Sequence, residues 1–214
     1  MPTLKKIFIL MVLAVGLYAN EFNQAVEDYK NGDYIKALNT FYALAKEDDA
    51  KAQYNVGLLY ANGLGVQKDL VEAQQWYEKA AKQGNGAAQY NLAQLYHIEG
   101  KKDVHAYEKA KYWYEKSVEA GIKEAYNNLG TLHLKGLGTV KNEKKAFELF
   151  TQGAEKGDSS AQVNMAILYA WGESVSHDKM KAYENLKSAL KEGKSEASEY
   201  LDKLCQESTW VCKE

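Results

Sequence analysis

The chain repeats itself. Ala52–Gly84 reads AQYNVGLLYANGLGVQKDLVEAQQWYEKAAKQG, and its first half returns as AAQYNLAQLY at 87–96, AYNNLGTLH at 125–133 and AQVNMAILY at 161–169. The leading alanines, Ala52, Ala88, Ala125 and Ala161, are separated by 36, 37 and 36 residues. The second half keeps the same beat, as AQQWYEKAA from Ala73, AKYWYEKSV from Ala110, AFELFTQGA from Ala146 and AYENLKSAL from Ala182. A fixed period of this length means one supersecondary unit stacked on copies of itself, since a single unit cannot bury its own apolar face.

Within one unit the pattern predicts helix, turn, helix. Ala52, Val56, Leu59 and Tyr60 fall on one helical face, and Gly63 and Gly65 then interrupt it. Asp69 with Glu72 three residues on predicts an N-cap and a capping box for the second helix. That helix presents Ala73, Trp76, Tyr77, Ala80 and Ala81 on one side and closes at Gly84, matched later by Gly121, Gly157 and Gly193. Gly57, Ala93, Gly130 and Ala166 sit mid-helix at equivalent points, small residues that admit a partner helix. Phe41, Tyr77, Tyr114, Phe150 and Leu186 form an equivalent stripe and are expected in the core. The fold class predicted is all-α.

These residues resemble the Sel1-like repeat family, relatives of tetratricopeptide repeats with a longer loop between the paired helices. The pattern is A-x-Y-N-x-G-x-L-Y, then G-x-G-V-x-x-D, then A-x-x-W-Y-x-K-A-A-x-x-G, and residues 52–84 carry all of it. The copy beginning at Ala88 loses the paired loop glycines and is one residue longer, and Ser174 stands where the last copy should have its second glycine. The resemblance implies a right-handed α/α solenoid of stacked helix–turn–helix repeats at 50–86, 87–123, 124–159 and 160–194. A tetratricopeptide-like capping pair is expected at 20–49, with Ala37 standing 36 residues before Ala73 and Asp48-Asp49 in place of the closing glycine. A closing helix is expected at 195–214, with Ala197 standing 36 residues after Ala161. Exported, cysteine-rich Sel1-like proteins of Helicobacter and relatives are similar, and have been associated with penicillin binding or weak β-lactam hydrolysis. Those relatives carry a cysteine pair in every repeat, whereas this chain has two cysteines in all.

Met1–Ala19 has the form of an export signal. Lys5 and Lys6 precede the apolar run 7–15, and Gly16–Ala19 offers a cleavage end before Asn20. That run is shorter than the ~20 residues of a membrane helix. Cleavage after Ala19 would give a periplasmic or secreted chain without a membrane anchor; an uncleaved signal anchor is the alternative. The 27 basic residues are all lysine against 29 acidic ones, and losing Lys5 and Lys6 leaves a net charge of about −4. With no arginine, the chain is a poor candidate for nucleic acid or for bidentate phosphate clamping.

Cys205 and Cys212 are the only cysteines, and an exported chain with an even count predicts a disulfide between them. Unbroken helix would hold them ~10 Å apart, so the helix must end near 207–209, with the tail around Trp210 pinned over it. No histidine or third cysteine accompanies the pair, so neither metal nor cofactor is expected.

One polar position recurs on every first helix: Asn55, Asn91, Asn128 and Asn164. Asparagine is a mediocre helix former, so its recurrence asks for a reason. In this family the first helices line a concave groove, where each amide could donate to and accept from an extended peptide backbone. The other reading is a hydrogen bond within the stack. One turn earlier stand Lys51, Ala87, Glu124 and Ser160, which vary, so Lys51 and Glu124 join the asparagines as the predicted groove.

Catalytic signals are weak. Ser176–Lys179 and Ser188–Lys191 fit S-x-x-K, the nucleophile motif of β-lactamases, but a chain this rich in lysine yields roughly one such match by chance, and K-T-G and S-D-N are absent. His105 and His177 are equivalent loop positions two repeats apart, and His133 stands where other copies have tyrosine. No catalytic residue is assigned. The expected function is a monomeric, non-catalytic scaffold binding a peptide, protein or peptidoglycan fragment; the alternative is a cell-wall-linked enzyme acting on β-lactam-like amides.

Overall fold

A computed structural model describes residues 20–173 and 175–213. The expected export segment and Ser174 therefore lie outside the described residues. Helix α1 covers 20–30. It is followed by α2 (Tyr34–Lys46), α3 (Ala50–Asn62), α4 (Leu70–Lys82), α5 (Gly86–Glu99), α6 (Ala106–Glu119), α7 (Lys123–Lys135), α8 (Glu143–Glu155), α9 (Ser159–Trp171), α10 (Lys179–Lys191) and α11 (Glu196–Glu207). The described residues contain no strand. The all-α array of helix–turn–helix repeats is the fold the chain adopts, in two compact units, one up to Ala88 and one from Gln89 onward.

In the first unit α2, α3 and α4 share a core of Ala37, Phe41, Val56, Leu59 and Trp76. Gly57 marks where α3 and α4 come closest: a Cβ there would lie 2.6 Å from the ring of Tyr77. Asp69 caps α4, its carboxylate accepting from the N–H of Val71 at 2.9 Å and of Glu72 at 3.0 Å. The reciprocal half of the expected capping box does not form. The loop folds back so that the Asp69 N–H donates to the Tyr60 carbonyl, and the Glu72 carboxylate accepts from the Trp76 indole instead. Asp48 does what glycine does elsewhere, with φ of 64°. Its carboxylate accepts from the amides of Gln53 (2.9 Å) and Gln83 (3.1 Å), bonds that offset the cost of a left-handed aspartate.

In the second unit Tyr114, Phe150 and Leu186 are fully buried, continuing the stripe. Gly130 repeats the close approach, with Phe150 2.6 Å from its would-be Cβ. Helix α11 ends at Glu207, and the chain turns at Ser208 so that Cys205 and Cys212 join in a disulfide with Cα atoms 5.6 Å apart. The disulfide ties the tail to α11 as expected, and the Trp210 ring is not what buries it. That ring is 61% exposed, and the neighbouring Val211 is buried in a cluster with Leu186 and Leu204.

Candidate functional site

The asparagine positions are equivalent in sequence but not in chemistry. Asn55, on α3 of the first unit, donates to the Lys51 carbonyl of its own helix at 2.9 Å, and the Lys51 side chain is exposed beside it. The other three belong to the second unit. Asn91 is half-buried on α5. Asn128, on α7, donates to the hydroxyls of Tyr90 (3.3 Å) and Tyr114 (3.2 Å). Asn164, on α9, stands one repeat later, where Phe150 replaces Tyr114 and offers no hydroxyl; it donates to Asn127 Oδ1 at 2.7 Å. Asn127 in turn donates to Asn128 Oδ1 at 3.4 Å. Asn128 and Asn164 thus belong to one polar network inside the second unit.

That network opens onto a depression of about 380 Å³, whose lining includes Tyr90, Lys123, Glu124, Asn127, Asn128, Asp158, Ser160 and Lys194. Each element delivers its part by the repeat register. Helix α7 brings the exposed Glu124 one turn from Asn128, α5 brings Tyr90, and the start of α9 brings Asp158 and Ser160. Asp158 is committed to the fold, because its buried carboxylate caps α9 by accepting from Ala161 N at 2.6 Å. Lys194 donates to Ser160 Oγ at 2.7 Å, and Lys123 to the Gly157 carbonyl at 3.1 Å.

Tyr90 is the residue sequence reasoning missed. Its oxygen accepts from Gln94 Nε2 at 3.0 Å and from Asn128 Nδ2 at 3.3 Å, which occupies both lone pairs. A hydroxyl that accepts two bonds still has one proton to donate, and Tyr90 lines the depression. Burial raises the Tyr90 pKa, the Asn128 bond opposes this, and the Glu124 and Asp158 carboxylates raise it further, so the group is a neutral donor at physiological pH. The site therefore offers hydroxyl and ammonium donors beside the Glu124 carboxylate, a set that fits an extended polar chain.

In the first serine–lysine motif Lys179 donates to Ser208 at 2.6 Å and Ser176 is exposed; in the second, Ser188 and Lys191 lie mid-helix and at the end of α10. His177 Nε2 lies 2.6 Å from the Gly172 carbonyl, and His97 packs edge-on to Tyr107 and Tyr114. Among the described residues, no group of three His, Cys, Asp or Glu side chains is placed to hold a metal ion, and no helix is long and apolar enough to cross a membrane.

Comparison with known proteins fits this architecture. The Sel1 repeat profile matches four times, at residues 50–85, 86–122, 123–158 and 159–194. The crystal structure of a Sel1 repeat protein from Oxalobacter formigenes is similar, at 30% identity and a TM-score of 0.75, covering 84% of this chain and 75% of that one. So is c5321, a protective antigen present in uropathogenic Escherichia coli strains displaying an SLR fold, at 26% identity and a TM-score of 0.55, over 89% of this chain and 49% of that one. HRD3, an ERAD-associated E3 ubiquitin-protein ligase component of Candida glabrata, is 31% identical over an alignment of 75 residues that covers 31% of this chain and 9% of that protein. The chain thus spans under a tenth of that curated relative. With four matched repeats running from 50 to 194, the chain belongs to the Sel1 repeat family.

Proposed function

We propose that this chain is an exported, non-catalytic, monomeric scaffold that holds an extended peptide, from a protein or a cell-wall fragment, in the polar depression of its second unit. The observation that carries the reading is the Tyr90 hydroxyl, whose oxygen accepts from Gln94 and Asn128 and which lines a cavity together with Glu124, Asn127, Asn128, Ser160 and Lys194. A peptide carbonyl accepts from Tyr90 or Lys194, and a peptide N–H donates to Glu124. The residues that vary between repeats, Glu124 and Ser160, would choose the ligand's side chains, while the amide network fixes the frame. The export segment supports a periplasmic or secreted setting, where muropeptide stems and envelope proteins are within reach.

The test is titration with a peptidoglycan stem peptide and with an unrelated peptide of equal charge, for the wild type and Tyr90→Phe. Phenylalanine keeps the ring and deletes one hydrogen bond worth ~0.5–1.5 kcal/mol, so affinity should fall by up to about tenfold with the melting midpoint little changed. Equal binding by both proteins would remove the depression from the function. Turnover of a β-lactam by purified chain, lost on Ser188→Ala or Ser176→Ala, would replace the scaffold reading with the enzymatic one. For export, mass analysis of envelope material should show a chain beginning at Asn20; an intact Met1 product confined to the cytosol would overturn that part.

A further inference from the structure

A second cleft lies beside the last helices, where the repeat register changes. The position eight residues after each leading alanine is Tyr60, Tyr96, His133 and Tyr169, and in the closing helix it is Cys205. In the preceding repeat Phe147 of α8 meets Tyr169 of α9 edge-on, ring centroids 4.9 Å apart. The residues 36 positions on are Tyr183 of α10 and Cys205 of α11, so a disulfide sulfur stands where the preceding repeat has a ring. The sulfur is bonded to Cys212, which returns the tail beside α10. Between α10 and that tail lies a cleft of about 400 Å³, lined by Met180, Tyr183 and Trp210 and by Lys187, Lys191 and Lys213.

The chemistry of that lining is one-sided. Among the described residues of the lining, three lysines face one carboxylate, Glu184. Lys187 lies 5.2 Å from the centre of the Tyr183 ring, and neither Lys191 nor Lys213 forms an ion pair with another described residue. Trp210 is 61% exposed and Met180 42%, apolar surface left open beside concentrated positive charge. The chain as a whole is net negative, so this local excess of lysine runs against its background.

We propose that this cleft is a separate binding site for an acidic peptide segment carrying a bulky apolar side chain, and that the Cys205–Cys212 disulfide keeps it formed. Carboxylates of the segment meet Lys187, Lys191 and Lys213, and the apolar side chain lies between Met180 and Trp210. A concave, side-chain-sized space suits a peptide better than a flat bilayer, and a net-negative chain without arginine is ill-suited to a nucleic acid. The site shares no residue with the depression at Tyr90 and stands or falls independently of it.

The experiment is calorimetric titration of the oxidised chain with an N-acetylated peptide of three aspartates alternating with two leucines, with tryptophan emission followed in parallel. Expected are saturable binding, a change in emission that disappears in Trp210→Phe, and weakening in about 0.5 M salt. Lys191→Glu with Lys213→Glu, both exposed positions, should lower affinity at least about tenfold without moving the thermal melt. Reductant or Cys212→Ser should weaken binding comparably, because the Trp210 wall is released. Asn128→Ala should leave this titration unchanged. Absence of binding at millimolar peptide, undiminished affinity after double charge reversal, or uptake onto anionic vesicles in place of the peptide would each overturn the proposal.

Discussion

Two asparagines at the same repeat position do different work, and the difference predicts opposite outcomes for the same substitution. Asn128 gives both amide hydrogens to tyrosine hydroxyls, one of them on Tyr114, which is 1% exposed. Asn128→Ala leaves that hydroxyl without its donor, so a loss of about 1–3 kcal/mol is expected. Asn55 bonds only a carbonyl of its own helix, and Asn55→Ala should be neutral or gain a few tenths of a kcal/mol by helix propensity. Paired thermal melts decide it; equal midpoints for the two variants would sink the network reading. The sequence made the constant position visible and hid its neighbour. The position just before it is Tyr54, Tyr90, Asn127 and Val163, which varies, so periodicity pointed past Tyr90 and Asn127. Hydrogen bonds between repeats depend on side chains that differ from copy to copy, and a repeating pattern cannot report them.

At the level of helices, almost everything was legible, because spacing between paired helices is set by small residues at fixed points. Gly57 and Gly130 meet the buried rings of Tyr77 and Phe150, and the core stripe lies where the beat places it. What escaped was the use of backbone groups by other parts of the fold, as in the half-formed capping box at Asp69, whose N–H donates to the Tyr60 carbonyl, and the burial of Val211 in the tail that the disulfide holds. Gly57→Ala and Gly130→Ala test the packing argument. Alanine gains up to ~1 kcal/mol of helix propensity but places a methyl 2.6 Å from a buried ring, where overpacking costs about 1–3 kcal/mol. A net loss of about 1–2 kcal/mol, seen as a melting midpoint several degrees lower, is expected for each. Ala93 and Ala166 carry a methyl at the same register, where the stripe has Tyr114 and Leu186; if Gly57→Ala melts higher than wild type, the close approach is not what selects glycine there.

Taken over the whole molecule, stability should depend on pH through groups held neutral in the interior. Burial, then the charges of Lys101 and Lys135, lowers the pKa of His97. Burial also lowers that of His133, with Lys111 adding to it, Glu115 opposing it and Lys145 adding again, and the ring's Nδ1 is buried without a hydrogen-bond partner. Both histidines titrate near 6.5 in the unfolded chain and lower in the folded one. Below about 6.5 the unfolded state therefore binds more protons, and stability falls as pH drops toward the folded values. Tyr114 works at the other end. Burial raises its pKa, so the folded state holds the phenol proton when the unfolded chain has begun to release it near pH 10, and stability falls again as pH rises beyond that value. Melts followed by circular dichroism from pH 5 to 11 should give a plateau between these limits. His97→Gln and His133→Gln should each flatten the acid limb, and Tyr114→Phe the alkaline one, at the cost of the Asn128 bond. A repeat array can unfold in stages, so the midpoint of each stage should be tracked separately. An acid limb unaltered when both histidines are replaced would assign the loss to carboxylates and take the buried imidazoles out of the account.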